Sequence, residues 1–241
     1  MASPACDRCV GANRGASCRH NLRKDTVYVV IDCEVSGQSL AKHGLMAIGV
    51  HAACGSEYLQ FRDFLDTETR EFDPDTLAFF KRDAPDFLEQ WKAESRAPGV
   101  VMHRFTEFMT RVRFQLACNN TDRILFCCDN PSLDASWMNY YLALYTDISC
   151  LSTYFGRYKP VMDIDSYRAG WLAVVPDADF GGFSADAACA AEVRQEKFTS
   201  TTHDPLDDAI AIYKNFMLVL DYVKDLQATT RFPAAYDAVK A

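Results

Sequence analysis

In TVYVVIDC (26–33) the six residues before Asp32 are all β-branched or aromatic, with no alternation of polar and apolar positions. A strand with one wet face alternates, so an unbroken run of this kind fits a strand covered on both faces. Such strands sit in the middle of a sheet that has helices above and below it. The run ends on Asp32-Cys33-Glu34. Side chains two apart on a strand share a face, so both carboxylates point to the same side at the end of a buried element.

The surrounding pattern supports a layered α/β fold. LMAIGVHAA (45–53) and EYLQFRDFL (57–65) follow as strands joined by a short CGS turn, which predicts an antiparallel hairpin or meander. FDPDTLAFFKR has Asp73 or Asp75 available as a helix cap. The stretch 100–117 places Val101, Phe105, Phe108, Met109, Val112 and Leu116 along one helical face. ILFCC (124–128) is a further strand. Asn130-Pro131 then predicts a helix from about Pro131 to Tyr145, with Asn130 as cap. PVMDI (160–164) reads as a strand, followed by a helix through Trp171, and VPDADFGGF (175–183) reads as a loop. Asp204-Pro205, again cap plus proline, opens a last long helix with Leu206, Ile210, Tyr213, Met217 and Leu220 on one face. Three strands, helices, strand, helix, strand, helix, helix make a mixed central sheet flanked by helices.

The chemistry-bearing residues cluster at element ends. Two like charges at the edge of an apolar core are costly unless compensated, and a divalent cation with a preference for oxygen ligands, magnesium or manganese, is the obvious compensation. Asp134 falls in the first turn of the helix after ILFCC, and His203 and Asp208 flank the start of the last helix in HDPLDDA. Asp204 fits the cap and Asp207 the third helical position, which leaves Asp208 without a capping duty. Taken singly each residue has a plainer reading: a solvated strand end, helix-end charge complementarity, a surface histidine. Their joint placement at strand C-termini and helix N-termini, where α/β folds converge on a ligand, carries the argument.

These motifs resemble the DEDDh branch of the DEDD exonuclease superfamily, over roughly residues 25–225. VVIDCE matches its first motif, DNPSLDASWM its second and HDPLDDA its third. The sequence departs from the family pattern at Asp129, where histidine is usual, at Pro131 in place of alanine, and at Leu133 in place of phenylalanine. Asp129 is read as a capping or loop residue. The resemblance implies a ribonuclease H-like α/β fold and a catalytic set of Asp32, Glu34, Asp134, His203 and Asp208. It also implies two bound Mg2+ or Mn2+ ions held by Asp32, Glu34, Asp134 and Asp208, with His203 as general base. The implied reaction is 3′→5′ hydrolysis of DNA or RNA ends to nucleoside 5′-monophosphates. The alternatives are a catalytically inactive nucleic-acid-binding or interaction module of the same fold, and a structural protein whose acidic groups only cap helices. Substrate contacts are unassigned. Leu40 and Leu45 in the loop after the first strand, and more weakly Met46 and Phe80, are candidates for base stacking, with core packing preferred for each.

The formal net charge of −8 argues against a protein that coats duplex DNA but allows one that takes a strand end into a small site where cations supply positive charge. The expected partner is therefore the 3′ end of a nucleic acid, and no membrane. No apolar run is long enough to span a bilayer and the N-terminus lacks the apolar stretch of a secretory signal, so an intracellular protein, cytoplasmic or nuclear, is expected. Of ten cysteines, seven (Cys33, Cys54, Cys118, Cys127, Cys128, Cys150, Cys189) lie scattered in apolar or mixed segments, as reduced thiols do. Residues 1–22 are polar, basic and Cys-rich and read as an appendage to an exonuclease domain over 23–228, with 229–241 as a tail. Cys6, Cys9, Cys18 and His20 are four suitable ligands for one structural zinc ion, against the plainer reading of a tail with incidental thiols. Metal analysis with and without residues 1–22 separates the two.

Overall fold

The computed structural model describes residues 26–67, 70–156, 160–174 and 203–229, the side chains of 170–174 and 222–229 excepted. The N-terminal appendage with Cys6, Cys9, Cys18 and His20, the 175–183 loop, Cys189 and the tail beyond Thr229 lie outside these residues. Five strands form one sheet: β1 (Val27–Val35), β2 (Leu45–Cys54), β3 (Glu57–Phe64), β4 (Ile124–Cys128) and β5 (Met162–Asp163), in the order β3-β2-β1-β4-β5. β1 and β3 each pair antiparallel with β2, while β4 pairs parallel with β1 and β5 parallel with β4. The meander is as expected, with Gly55 at φ +63° making the turn. In the long helix-rich insertion, α1 (Pro74–Asp83), α2 (Pro85–Glu94) and α3 (Pro98–Arg111) each begin at a proline. The remaining helices are α4 (Asp134–Tyr145), α5 (Leu151–Tyr154), α6 (Ile164–Val174) and α7 (Pro205–Thr229).

Every residue of β2 is buried, and β1 is buried apart from the half-buried Asp32 and Glu34. The two faces of β1 feed different cores. Val29, Ile31 and Cys33 pack with Val101, Phe105 and Phe108 of α3 and Trp137, Met138 and Tyr141 of α4. Tyr28 and Val30 pack with Ile164 of α6 and Ala209, Phe216 and Leu220 of α7. Asp32 and Glu34 continue the second face, which directs them toward α7. A third cluster, Met46, Phe64, Phe80, Phe87 and Leu88, seats α1 and α2. Each fully buried large apolar side chain of this kind stabilises by roughly 1.5–3 kcal/mol relative to exposure. Asp63 of β3 is 1% exposed and is ion-paired with Arg96 (2.5 Å) and Arg104 (2.6 Å), so this buried charge is compensated.

Three boundaries differ from the sequence-based expectation. The 100–117 helix starts at Pro98 and changes after Arg111 to a π-helical turn, Val112–Leu116, in which both Val112 and Leu116 stay buried. The helix expected from Pro131 starts at Asp134, because Asn130-Pro131-Ser132-Leu133 closes as a turn. There the Asn130 carbonyl accepts from the Leu133 and Asp134 N–H groups, both at 2.9 Å, and the Asn130 side chain is not the cap. The 160–164 strand shrinks to Met162–Asp163, because the Asp163 carboxylate accepts from Ser166 N–H (2.8 Å) and Oγ (2.6 Å) and starts α6 at Ile164.

Candidate metal centre

β1 carries the first two carboxylates, and its neighbours decide what meets them. The ladder between β1 and β4 ends at Val30–Cys127, so the later N–H groups on that edge of β1 have no strand partner. The Cys33 N–H takes the Asp134 carboxylate instead, donating to Oδ1 at 3.1 Å. Starting α4 at Asp134 rather than Pro131 places that carboxylate at the strand end. Asp134 is 2% exposed, and its Oδ2 has no hydrogen-bond partner. A buried carboxylate oxygen left in this state needs a donor or a cation.

α7 brings the other side of the site. Gly49 pairs directly with Asp32 across the β1–β2 ladder. A Cβ at Gly49 would overlap Pro205 C and O and Leu206 N, so the missing side chain lets the first turn of α7 lie on the sheet backbone beside Asp32. Asp204 caps the helix as expected, its Oδ1 accepting from Leu206 N–H (3.0 Å) and Asp207 N–H (3.4 Å). Its Oδ2 accepts from Arg62 Nη1 of β3. His203, just before the cap, has φ +49°, a left-handed conformation that a histidine adopts at some cost. Its ring sits edge-on to Phe79 of α1 with centroids 4.9 Å apart. Glu34, His203 and Asp208 each offer a ligand atom within 4.8 Å of the others.

All five residues singled out in the sequence thus converge. Burial pushes the Asp32 carboxyl well above the usual carboxylate range, and the charges of Glu34, Asp134 and Asp208 push it further. Glu34 is raised in the same way, by burial first and then by Asp208 and Asp134. Asp134 is raised to about 8, chiefly by burial and then by Asp129, against the lowering effect of the Cys33 and Asn130 hydrogen bonds. Asp129 is therefore a fifth acidic group whose field reaches the centre, more than the loop residue read from its position. Its place at the C-terminal end of a strand beside β1 was the available signal. Leu45, Met46 and Phe80 are at most 2% exposed and belong to the core, and Leu40 packs against it. The apolar group beside the site is Phe79, which with Gln38, Ser39, His43, Asp73, Asp75 and Thr76 lines a cavity of about 550 Å³.

The donor set fits hard divalent cations: carboxylate oxygens, one of them orphaned and buried, and one imidazole at the rim. The raised values set the pH dependence of the metal-free protein. Each is higher in the folded than in the unfolded chain, so the native state holds protons that the unfolded state releases. The contribution of these carboxylates to stability is therefore greatest at the acid side of the window and falls as pH rises from 3.8 toward about 8, the span for Asp134, while buried His51, lowered to about 4, acts in the opposite sense only below 6.5. In chelator, melting is expected to occur at higher temperature at about pH 5.5 than at about pH 8, and saturating Mn2+ is expected to flatten the difference while releasing protons. A melting temperature that rises over this range in chelator contradicts the arrangement.

No protein-family model matches the sequence, and no curated protein matches it. In fold, the chain is similar to exonuclease I. A product-bound exonuclease I structure superposes with a TM-score of 0.58 at 11% identity, over 84% of this chain and 45% of that one. Escherichia coli exonuclease I in complex with a dT13 oligonucleotide gives 0.55 at 12% identity, over 84% and 44%. The zinc-bound form of the E. coli ExoI–ssDNA complex gives 0.51 at 13% identity, over 85% and 42%. The chain spans less than half the length of these proteins. The likeness is one of fold, and it agrees with the ribonuclease H-like α/β arrangement expected from the three motifs. Among the described residues Cys33, Cys54, Cys118, Cys127, Cys128 and Cys150 are in no disulfide. No helix among the described residues is long and apolar enough to cross a membrane.

Proposed function

We propose that the chain is a metal-dependent 3′→5′ exonuclease that shortens single-stranded DNA or RNA and releases nucleoside 5′-monophosphates. The supporting observation is the convergence of Asp32, Glu34, Asp134 and Asp208 around a buried, unpartnered Asp134 Oδ2, with His203 at the rim. In this reading Asp32, Glu34, Asp134 and Asp208 would hold two Mg2+ or Mn2+ ions. Bound cations supply the positive charge that an attacked phosphodiester requires. His203 accepts the proton of the attacking water, and Phe79 fixes the edge of its ring. The fold neighbours bound to single-stranded oligonucleotides and the acidic balance of the chain both favour a strand end as substrate. An inactive binding module of the same fold has no use for His203 in a left-handed conformation beside two carboxylates.

Incubation with 3′- and 5′-labelled DNA and RNA oligonucleotides in Mn2+, Mg2+ or chelator tests the reading. Early loss of the 3′ label as mononucleotide, a shortening ladder from the 5′ label, and neither in chelator are expected. Binding without loss of the 3′ label in any metal favours the inactive module. The His203→Ala protein tests the role of the ring. Turnover is expected to fall by about 10²–10⁴-fold, the usual contribution of a general base, with Mn2+ affinity retained. Because His203 lies within ligand reach of Glu34 and Asp208, a large loss of Mn2+ affinity would instead make it a ligand.

A further inference from the structure

Part of the proposed centre is carried by the sheet, as Asp32 and Glu34, and another part by the entry to α7, as His203 before the cap and Asp208 in the first turn. Like charges face each other across these two parts when no cation is present, with carboxylate oxygens of Glu34 and Asp208 within 4.8 Å. Gly49 allows α7 to approach the sheet but supplies no attraction. Apolar packing of Ala209, Phe216 and Leu220 against Tyr28 and Val30 holds the body of α7, and β3 adds a charged contact at its start. Arg62 points outward on this edge strand, its guanidinium over the Phe64 ring at 5.5 Å, and donates to Asp204 Oδ2. Asp204 Oδ1 meanwhile holds the N–H groups of Leu206 and Asp207. One carboxylate thus ties the start of α7 to the sheet on the flank away from Glu34. The pair is partly exposed, with 36% of the Arg62 side chain and 14% of the Asp204 side chain accessible. That is little for global stability, yet Asp204 is next to His203 and four residues from Asp208.

We propose that Arg62, through Asp204, is a positioning residue that holds His203 and Asp208 against the Asp32–Glu34 strand, so that a cation meets its ligands already assembled. The inference rests on reading this cluster as a metal centre. It has a signature opposite in sign to a simple charge effect. Removing a cation from beside an anionic cluster tightens divalent binding by electrostatics alone, whereas removing a clamp weakens it.

Mn2+ titration of the full chain, followed by calorimetry and by the bound-ion resonance, reads this directly. The Arg62→Ala protein is expected to bind Mn2+ about tenfold more weakly, at the low end of the range for groups that orient metal ligands. Its melting in chelator is expected to be nearly unchanged. The Arg62→Lys protein is expected to recover part of the affinity, and Asp204→Asn, which keeps a cap acceptor and loses the charge, to resemble Arg62→Ala. Equal or tighter Mn2+ binding by Arg62→Ala and Asp204→Asn overturns the clamp and leaves the metal centre standing. Absence of Mn2+ binding by the unaltered chain overturns the metal centre and the clamp with it.

Discussion

Replacing Asp32 with asparagine is expected to abolish metal-dependent release of 3′ nucleotides and to make the metal-free protein more stable. Both results follow from one physical state. Asp32 stands at the end of a doubly covered strand, with burial and then the charges of Glu34, Asp134 and Asp208 acting against its ionised form. Asparagine has nearly the same shape and no charge, so the repulsion disappears without leaving a void. Like charges a few ångströms apart at a partly buried site interact by as much as about 4 kcal/mol. After relaxation and partial protonation a gain on the order of 1–3 kcal/mol is expected, with each kcal/mol raising the melting temperature of a domain this size by about 2–4 °C. The activity moves the other way. Loss of a group that only orients a ligand lowers metal affinity or activity by about 10–100-fold, and loss of a carboxylate that would itself hold the metal is expected to exceed that, at about a thousandfold or more. Melting with and without Mn2+ checks the pair of effects. Wild-type protein is stabilised by the ion and Asp32→Asn is not. An Mn2+-induced shift in the variant as large as in the wild type removes Asp32 from the centre.

The parts of this site that were legible in the sequence are those whose logic is local. TVYVVIDCE announces a buried strand because its apolar run does not alternate. Asp32 and Glu34 share a face because strand geometry has a period of two. HDPLDDA separates its acidic residues by duty, and Asp204 takes the cap that was expected of it. What the sequence hid depends on distant partners. The Asp134 helix begins a turn late because Asn130 satisfies the entry with its backbone rather than its side chain. Asp129 is a loop residue, as read from its position, in the bend after β4, and only the pairing of β4 beside β1 shows that its charge reaches the site. Arg62 sits at an outward position of an edge strand, where an arginine is ordinarily solvated, and its partner lies 142 residues away. Leu45, Met46 and Phe80 fill the core, as preferred for them from the sequence. Phe79, their half-buried neighbour, faces His203 instead.

Gly49→Ala is expected to be the most disruptive single-methyl change in the sheet. Gly49 lies in a strand buried at every position and is laddered on both sides, to Asp32 on β1 and Arg62 on β3. The added Cβ would overlap the carbonyl of Pro205 and the N–H of Leu206, far inside the optimal approach of about 3.5–4.0 Å between carbon atoms. Backbone cannot rotate away as a side-chain tip can, and β2 cannot retreat without breaking two ladders, so the start of α7 must lift. Overpacking of this kind destabilises by about 1–3 kcal/mol or more. Here the loss extends along the helix, because Ala209, Phe216 and Leu220 are pulled from the cluster around Tyr28 and Val30. A drop in melting temperature of roughly 5–10 °C is expected for a chain of this length. Catalysis is expected to fall further than stability, since a misplacement of about 1 Å lowers rates by as much as 10²-fold. Gly55→Ala separates the two effects: Gly55 has φ +63° in the β2–β3 turn and open space around it. Alanine there strains the turn by about 1 kcal/mol and leaves α7 where it is, so stability declines while the response to Mn2+ is kept. If Gly49→Ala matches Gly55→Ala in melting temperature and in Mn2+ response, the close approach of α7 to β2 is not what sets the spacing between Asp32 and Asp208.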